Sequence, residues 1–440
     1  MVKNSLGSRA IVIGGSIAGL LSARVLSDFF TEVTVIDKDS LPLQAQARSG
    51  VPQSMQPHVL MTKGYRIICQ LFPGIETELR KQGALPIDWG QEFYCFNESG
   101  WFANSTEVSG VASVTCSRPL LETTIRFSLQ QNPKVSFIQQ RVTGLLYDGQ
   151  RVTGVKTKSN EEITANLVID CSGRNSKAPL WLEEIGIDSP PETKIDARLG
   201  YATRRYKKPA DSISWKVLLI NHVPPKRKRL GYLAQIEGEE LIATLGGYLE
   251  DFPPLDDKGF LDFARSLPNP EFYTAIKDAE AVSPIYAYRA TANRLRHYEK
   301  ISLPDGFVAL GDAVCALCPV YGQGMTVSAL SAMVLQQWLC KAQKSWFNNK
   351  LSSRSFQKAL AKSNKLPWGV ATGQDARFLD TDKQQPIAAR LMQGYINRLQ
   401  SLATVDSEVF ISFVKVGHVL KSPLAFFSPF MLWRVYRGKN

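Results

Sequence analysis

Apolar positions along this chain fall into short solid runs, alternating stretches and helical stripes, and their order predicts the elements. Residues 10–13 form an apolar run that ends in glycines. An apolar-periodic helix follows, and a second run, 33–36, stops at Asp37. That is strand, tight turn, helix, strand. A helical stripe over 59–72 is stopped by Pro73-Gly74, and another covers 76–82 with Gly83 as its C-cap. From 93 to 114 the pattern alternates around Gly100 and Gly110, as strands and turns do. Ser117 is the expected N-cap of a helix over 120–130, with Pro119 suited to its first turn. Strands are expected at 135–140, 142–147 and 152–156, with Asp148-Gly149 as a hairpin turn, and a short buried one at 167–170.

Beyond residue 195 the pattern turns strongly β, with strands expected at 199–206, 213–220, 231–235 and 241–248. This predicts a separate antiparallel sheet inserted between segments of the first domain. Helices at 258–266 and 270–278 should lie on its edge. A further apolar strand, 307–310, precedes Gly311-Asp312, and a buried helix covers 326–340. The last hundred residues are mostly helical in pattern.

Composition narrows the class. The chain has 440 residues, 44% hydrophobic and 21% charged, enough for two or three globular domains with a large core. Its formal charge of +12 fits an anionic cofactor, an anionic surface or simple solubility. Nucleic acid is not an expected partner, because the basic residues are spread out. The dense run Lys226-Arg227-Lys228-Arg229 sits between Pro224-Pro225 and Gly231, as a solvated hairpin tip would. Seven scattered cysteines suit reduced thiols in the cytoplasm rather than a disulfide framework. Lys3 and Arg9 ahead of an apolar run mimic a signal peptide, but the strand–turn–helix unit explains them better. No window of 18 apolar residues predicts a spanning helix, and no metal site is expected.

The first unit carries the chemistry. Gly14 lets the chain turn off its strand, a small residue at Ser16 admits a pyrophosphate, and Gly19 lets the helix pack close to the sheet. The helix N-terminus offers free N–H groups and a positive dipole end to phosphate. Asp37 is placed to accept both hydroxyls of an adenosine ribose, which favours FAD or NAD over NADP. Ser16 stands where the usual pattern has its second glycine. Two further strands end in the same way, at Asp170-Cys171-Ser172-Gly173 and at Gly311-Asp312. In an open parallel sheet such ends gather at one edge, so all three loops can face one extended ligand.

With those residues in view the chain resembles the FAD-dependent aromatic hydroxylases and squalene-epoxidase-like flavoprotein monooxygenases. The resemblance rests on Gly14 to Gly19 with Asp37, on Arg118 in Ser-Arg-Pro-Leu-Leu-Glu, on Asp170 to Arg174, and on Gly311-Asp312 with Pro319-x-x-Gly322-x-Gly324-Met325. It implies a discontinuous Rossmann-like FAD-binding domain of α/β class (1–84, 113–180 and 289–345), an inserted antiparallel β-sheet domain for substrate (85–112 and 181–288), and a helical C-terminal segment (346–440). It also implies FAD as cofactor, with Gly14, Ser16, Ala18, Gly19, Asp37, Lys38, Arg48, Arg118, Asp170, Gly173, Gly311, Asp312, Gly322, Gly324 and Met325 around it. Among these, Asp37 would hold the ribose, Arg118 the pyrophosphate or ribityl chain, and Asp312 a ribityl hydroxyl. The helix start at 324–326 would point at the ring.

The activity implied is oxygenation by O2 through a flavin C4a-hydroperoxide, hydroxylating or epoxidising a hydrophobic secondary metabolite or isoprenoid. NAD(P)H has no domain of its own, so it would bind transiently as electron donor or a separate reductase would act. A geranylgeranyl-reductase-like flavin reductase or dehydrogenase shares the same loops, as would a non-catalytic flavin-binding protein. The Trp-x-Trp-x-Ile-Pro segment of flavin-dependent halogenases is absent. His58 is the one candidate catalytic side chain, with a structural role in the Pro57 turn as the alternative. Cys315 and Cys318 are either a redox pair or flavin link, or buried packing. At the C-terminus, residues 409–420 are apolar nearly all round, and an aromatic tail ends in Arg434, Arg437 and Lys439. Two readings stay open there: helices packed over the substrate cavity, or a peripheral contact with an anionic membrane.

Overall fold

The computed structural model describes residues 5–48, 50–209, 213–344, 352–379 and 387–437. Lys439 of the expected basic end, and parts of the expected segment 346–440, lie outside them. The solid apolar runs form a five-stranded parallel sheet, in the order Phe307–Ala309, Leu167–Asp170, Gly7–Ile13, Phe30–Asp37, Val135–Gln139. Helices Ile17–Leu26 and Gly324–Lys344 pack against each other beside it, and its core is continuous with both. Parallel strands covered in this way read as unbroken apolar stretches, which is why the sequence shows them plainly. The expected N-cap of the helix Arg118–Gln130 is present, with Ser117 Oγ accepting from the Leu120 N–H at 3.3 Å.

The inserted sheet has seven strands, in the order Tyr286–Tyr288, Gly200–Lys207, Glu240–Gly247, Arg229–Ile236, Val217–Ile220, Phe93–Asn97, Gly100–Trp101. It is mixed rather than purely antiparallel, because Phe93–Asn97 lies parallel to Val217–Ile220. That strand arrives from an earlier part of the chain, so nothing forces a hairpin pairing. The strand expected from 213 begins at Val217 instead. Trp215 is turned into the core, where its Nε1 donates to Glu271 at 3.3 Å.

Both faces of this sheet are covered. Leu233, Leu241, Ala243 and Leu245 meet Phe260, Phe263 and Phe272 of the helices Asp257–Arg265 and Glu271–Ile276. On the opposite face Ala234, Ile236 and Ile242 meet Leu399, Val409, Phe410 and Val414 of the C-terminal helices Ile387–Leu402 and Ser407–Gly417. Alternate residues of the same strands thus serve two different covers. The basic run forms the connection between Val217–Ile220 and Arg229–Ile236, with Lys226 paired to Glu98 at 2.6 Å.

Candidate functional site

The C-terminal ends of three adjacent parallel strands carry the three loops. Ile13 pairs with Asp170, and Asp170 with Ala309, so the loops start side by side. Gly14 has φ +102°, and a Cβ there would come within 2.6 Å of the Cys171 carbonyl. Only glycine permits that turn. A Cβ on Gly19 would meet the Gly14 carbonyl oxygen at 1.8 Å, so glycine is what lets the helix Ile17–Leu26 press onto its strand. Gly311 has φ +63°, and a Cβ there would lie 2.8 Å from the Ala18 methyl, which joins the third loop to the first.

Around the first loop lies a buried ionic network. Asp37 accepts from the Gly15 N–H at 2.6 Å and from the Asp39 N–H at 2.8 Å. Arg48 Nη1 lies 3.3 Å from Asp37 and 3.6 Å from Asp39, and Nη2 pairs with Glu122. Ser16 Oγ donates to Glu122 at 2.6 Å and accepts from Arg118 Nη2 at 3.0 Å. The serine in the second glycine position is therefore turned back onto Glu122 and Arg118. That leaves the first helical N–H groups without a side-chain cap. Burial disfavours the charge of Glu122, but Arg118 and Arg48 outweigh it and hold its carboxyl below the ordinary range. Lys38, next to this cluster in sequence, is exposed and makes no ion pair among the described residues.

The other two loops supply different things. The Asp170 carboxylate is fully buried and occupied by its own loop, accepting from the Ser172 N–H, the Ser172 hydroxyl and the Ser176 hydroxyl. Its effect is to shape the turn that holds Gly173. Asp312, in contrast, has no hydrogen-bond partner among the described residues. Burial raises its carboxyl above the ordinary range, opposed by the nearby Arg174 and Arg118. At Gly173 and Gly324 a Cβ would meet nothing within 4 Å. Gly322 has φ +63° and packs against Val59, and Gly324 opens the helix Gly324–Lys344, so the N–H groups of its first turn lack intrahelical partners. The Met325 side chain is buried in the core, leaving its backbone at the helix start. Nearby, Gln323 Oε1 is buried without a partner among the described residues.

An unpaired carboxylate, open space beside two glycines and two uncapped helix starts share this edge. That donor set fits a dinucleotide with a ribityl chain. Cys315 and Cys318 lie in the following loop as free, buried thiols, Cys315 pushed up to about 12 by burial. They are not joined.

A second, narrow cleft lies between the inserted sheet and the segments that flank the first site. Tyr232, Ala234, Ile236 and Ile242 wall one side, and Gln56, His58, Thr115 and Cys116 the other. His58 Nδ1 is 2.8 Å from the Gln56 carbonyl, which can only accept, so Nδ1 carries the proton and Nε2 is an acceptor. Burial, with help from Arg118, drives the His58 pKa down to about 3, so the ring is neutral. Thr115 Oγ1 is buried with no partner among the described residues. No charged side chain lines this cleft among the described residues.

Two groups escaped the sequence reading. Glu122 had a signal, since it stands four residues after Arg118 in Ser-Arg-Pro-Leu-Leu-Glu, on the same helical face. Asp375 had none. It reaches in from the helix Ser353–Leu379, accepting from Tyr321 at 2.6 Å, Asn293 at 2.6 Å and Tyr248 at 3.3 Å.

The architecture is shared with solved flavoproteins. A triple mutant of the flavin-dependent brominase Bmp2 superposes with a TM-score of 0.67 at 14% identity, covering 98% of this chain and 99% of its own. The p-nitrophenol 4-monooxygenase PnpA of Pseudomonas putida gives 0.64 at 16% identity, covering 92% and 97%. PqsL of Pseudomonas aeruginosa, in complex with 2-aminobenzoylacetate, gives 0.63 at 14% identity, covering 92% and 98%. The fold is that of the flavin-dependent monooxygenases. No protein-family model matches the chain. Protein Rv3254 of Mycobacterium tuberculosis is 30% identical over 434 residues, 90% of this chain and 91% of its own, and the chain belongs to the same family as that protein.

Proposed function

We propose that this protein is an FAD-dependent monooxygenase that hydroxylates or epoxidises a neutral, hydrophobic small molecule, of the secondary-metabolite or isoprenoid kind. The observation that carries this is the edge where three parallel strand ends meet, with Asp312 left unpaired beside two helix starts. In this reading residues 1–84, 113–180 and 289–345 form the cofactor domain, and 85–112 with 181–288 the substrate domain. Asp37 holds the adenosine ribose, the Gly14–Gly19 turn and Arg118 the pyrophosphate, and Asp312 the ribityl chain. Bound FAD would supply the activation of O2.

The chain's own groups would do the rest. The helix start at Gly324 would offer its N–H dipoles to negative charge on a bound, reduced flavin. The apolar faces of the inserted sheet and of the C-terminal helices keep water from the second cleft. His58 Nε2 and Thr115 Oγ1 would hold a hydroxyl of the substrate, and the lack of a cation in the cleft among the described residues argues against a carboxylate one. Electrons would come from transiently bound NAD(P)H or from a separate reductase.

The test is whether purified protein carries FAD, takes up O2 when reduced, and inserts one oxygen atom into its substrate. Double-bond saturation without O2 would assign a reductase instead, and halide-dependent product would assign a halogenase, the activity of the Bmp2 neighbour. Asp312→Ala should give colourless, FAD-poor protein whose melting temperature is otherwise unchanged. A yellow, fully loaded variant would remove Asp312 from the site.

A further inference from the structure

The C-terminal segment divides its apolar residues between two directions. Val409, Phe410, Val414, Phe426 and Met431 are buried against the inserted sheet. Leu424, Phe427, Phe430, Leu432, Trp433 and Tyr436 point outward, from 38% to 76% exposed. Among the described residues these include every exposed aromatic, and the four aromatics, Phe427, Phe430, Trp433 and Tyr436, fall within ten consecutive positions. In the helix Pro429–Arg437, Met431 and the partly buried Val435 form the inner seam, and Phe430, Leu432, Trp433 and Tyr436 lie exposed on the other faces together with Arg437.

The charge around this patch is positive. Residues 387–437 hold six arginines and lysines against two acids. Both acids, Asp406 and Glu408, are taken up by Arg434. Lys421 and Arg437 have no acidic partner among the described residues, and Arg437 stacks over Trp433 at 4.3 Å from the ring centroid. Aromatic rings flanked by unpaired cations on a short amphipathic helix match the headgroup layer of an anionic bilayer, and the net charge of +12 draws the whole molecule towards such a surface. No helix among the described residues is long and apolar enough to cross a membrane, so the contact is peripheral.

We propose that Leu424–Tyr436 is a membrane-docking surface for anionic lipid. Because Phe426 and Met431 belong to the same apolar cluster as Ala234, Ile236 and Ile242, which line the second cleft, docking would set that cleft close to the bilayer. This last consequence rests on the function proposed above; the docking does not.

The experiment is co-sedimentation of the full chain with phosphatidylcholine vesicles, plain or doped with phosphatidylglycerol, at low and high salt. Binding is expected to the doped vesicles and to weaken with salt. The variant Phe430→Ser/Trp433→Ser/Tyr436→Ser should lose about tenfold or more in bound fraction, with bound-flavin content and melting temperature kept. Should that variant fold poorly, Lys421→Glu/Arg437→Glu tests the same surface through charge alone. Wild-type protein left in the supernatant with both vesicle types overturns the proposal. So does a wild-type dimer on gel filtration that the triple variant dissolves, since the patch would then be a contact between copies. Flavin content is measured on every sample, so vesicle binding by flavin-free protein would count against the oxygenase reading alone.

Discussion

Glu122 sits 5% exposed between Arg48 and Arg118 and receives the Ser16 hydroxyl, so one carboxylate compensates two buried guanidinium groups and fixes the side chain that replaces a loop glycine. Removing one partner of a buried ion cluster leaves charge stranded in a low-dielectric interior, at a cost of about 3–5 kcal/mol. Glu122→Ala should lose stability of that order in urea denaturation. Since its carboxyl titrates lower in the folded state than in the unfolded chain, its contribution is present above the ordinary carboxylate range and fades as pH falls through the folded value. The glycines and Asp37 of this loop were legible in the sequence because backbone sterics and strand ends dictate their types. Glu122 carried only a helical spacing, which cannot say what the other side of the helix meets.

The C-terminal end of the helix Ser407–Gly417 is tied to the N-terminal part of the chain through His418. His418 Nδ1 accepts the Thr62 N–H at 3.1 Å, with the Trp89 ring 4.6 Å away, and the Lys63 N–H donates to the His418 carbonyl at 3.3 Å. His418→Ala would strip the Thr62 N–H of its acceptor inside the core, at about 1–3 kcal/mol. The expected outcome is faster amide exchange across 407–437 than across the parallel sheet; uniform exchange would show that the histidine does not anchor the segment. The existence of C-terminal helices was readable from their apolar stripes. Which face they cover was not, because docking is settled by the shape of a sheet assembled from residues far away in sequence. The parallel pairing of Phe93–Asn97 escaped for the same reason.

Across the molecule, His58, His222 and His418 are each pushed from 6.5 down to about 3, chiefly by burial. Folding therefore keeps them neutral, while the unfolded chain takes up protons near 6.5. Their contribution to stability is whole above that value and declines as pH drops through it towards 3, at roughly 1.4 kcal/mol per pH unit for each histidine. Asp170, Asp312 and Asp375, whose carboxyls burial raises, act in the opposite sense, but nearer the carboxylate range. Urea midpoints should consequently fall steeply between pH 6.5 and 5, before most carboxylates titrate. A flat profile over that interval would mean that the three rings reach solvent.

The sequence by itself determined the strand–glycine–helix units, the acids at their ends and the presence of a second, β-rich region. Each of those follows from local sterics, periodicity and the needs of a backbone turning sharply off a strand. Only the tertiary structure decided that Asp170 is spent on its own loop while Asp312 stays unpaired, and that Asp375 grips Tyr321 from a distant helix. It also decided which aromatics of the tail are left facing outward. A side chain's burial and partners depend on what packs beside it, and that is fixed only when segments hundreds of residues apart come together.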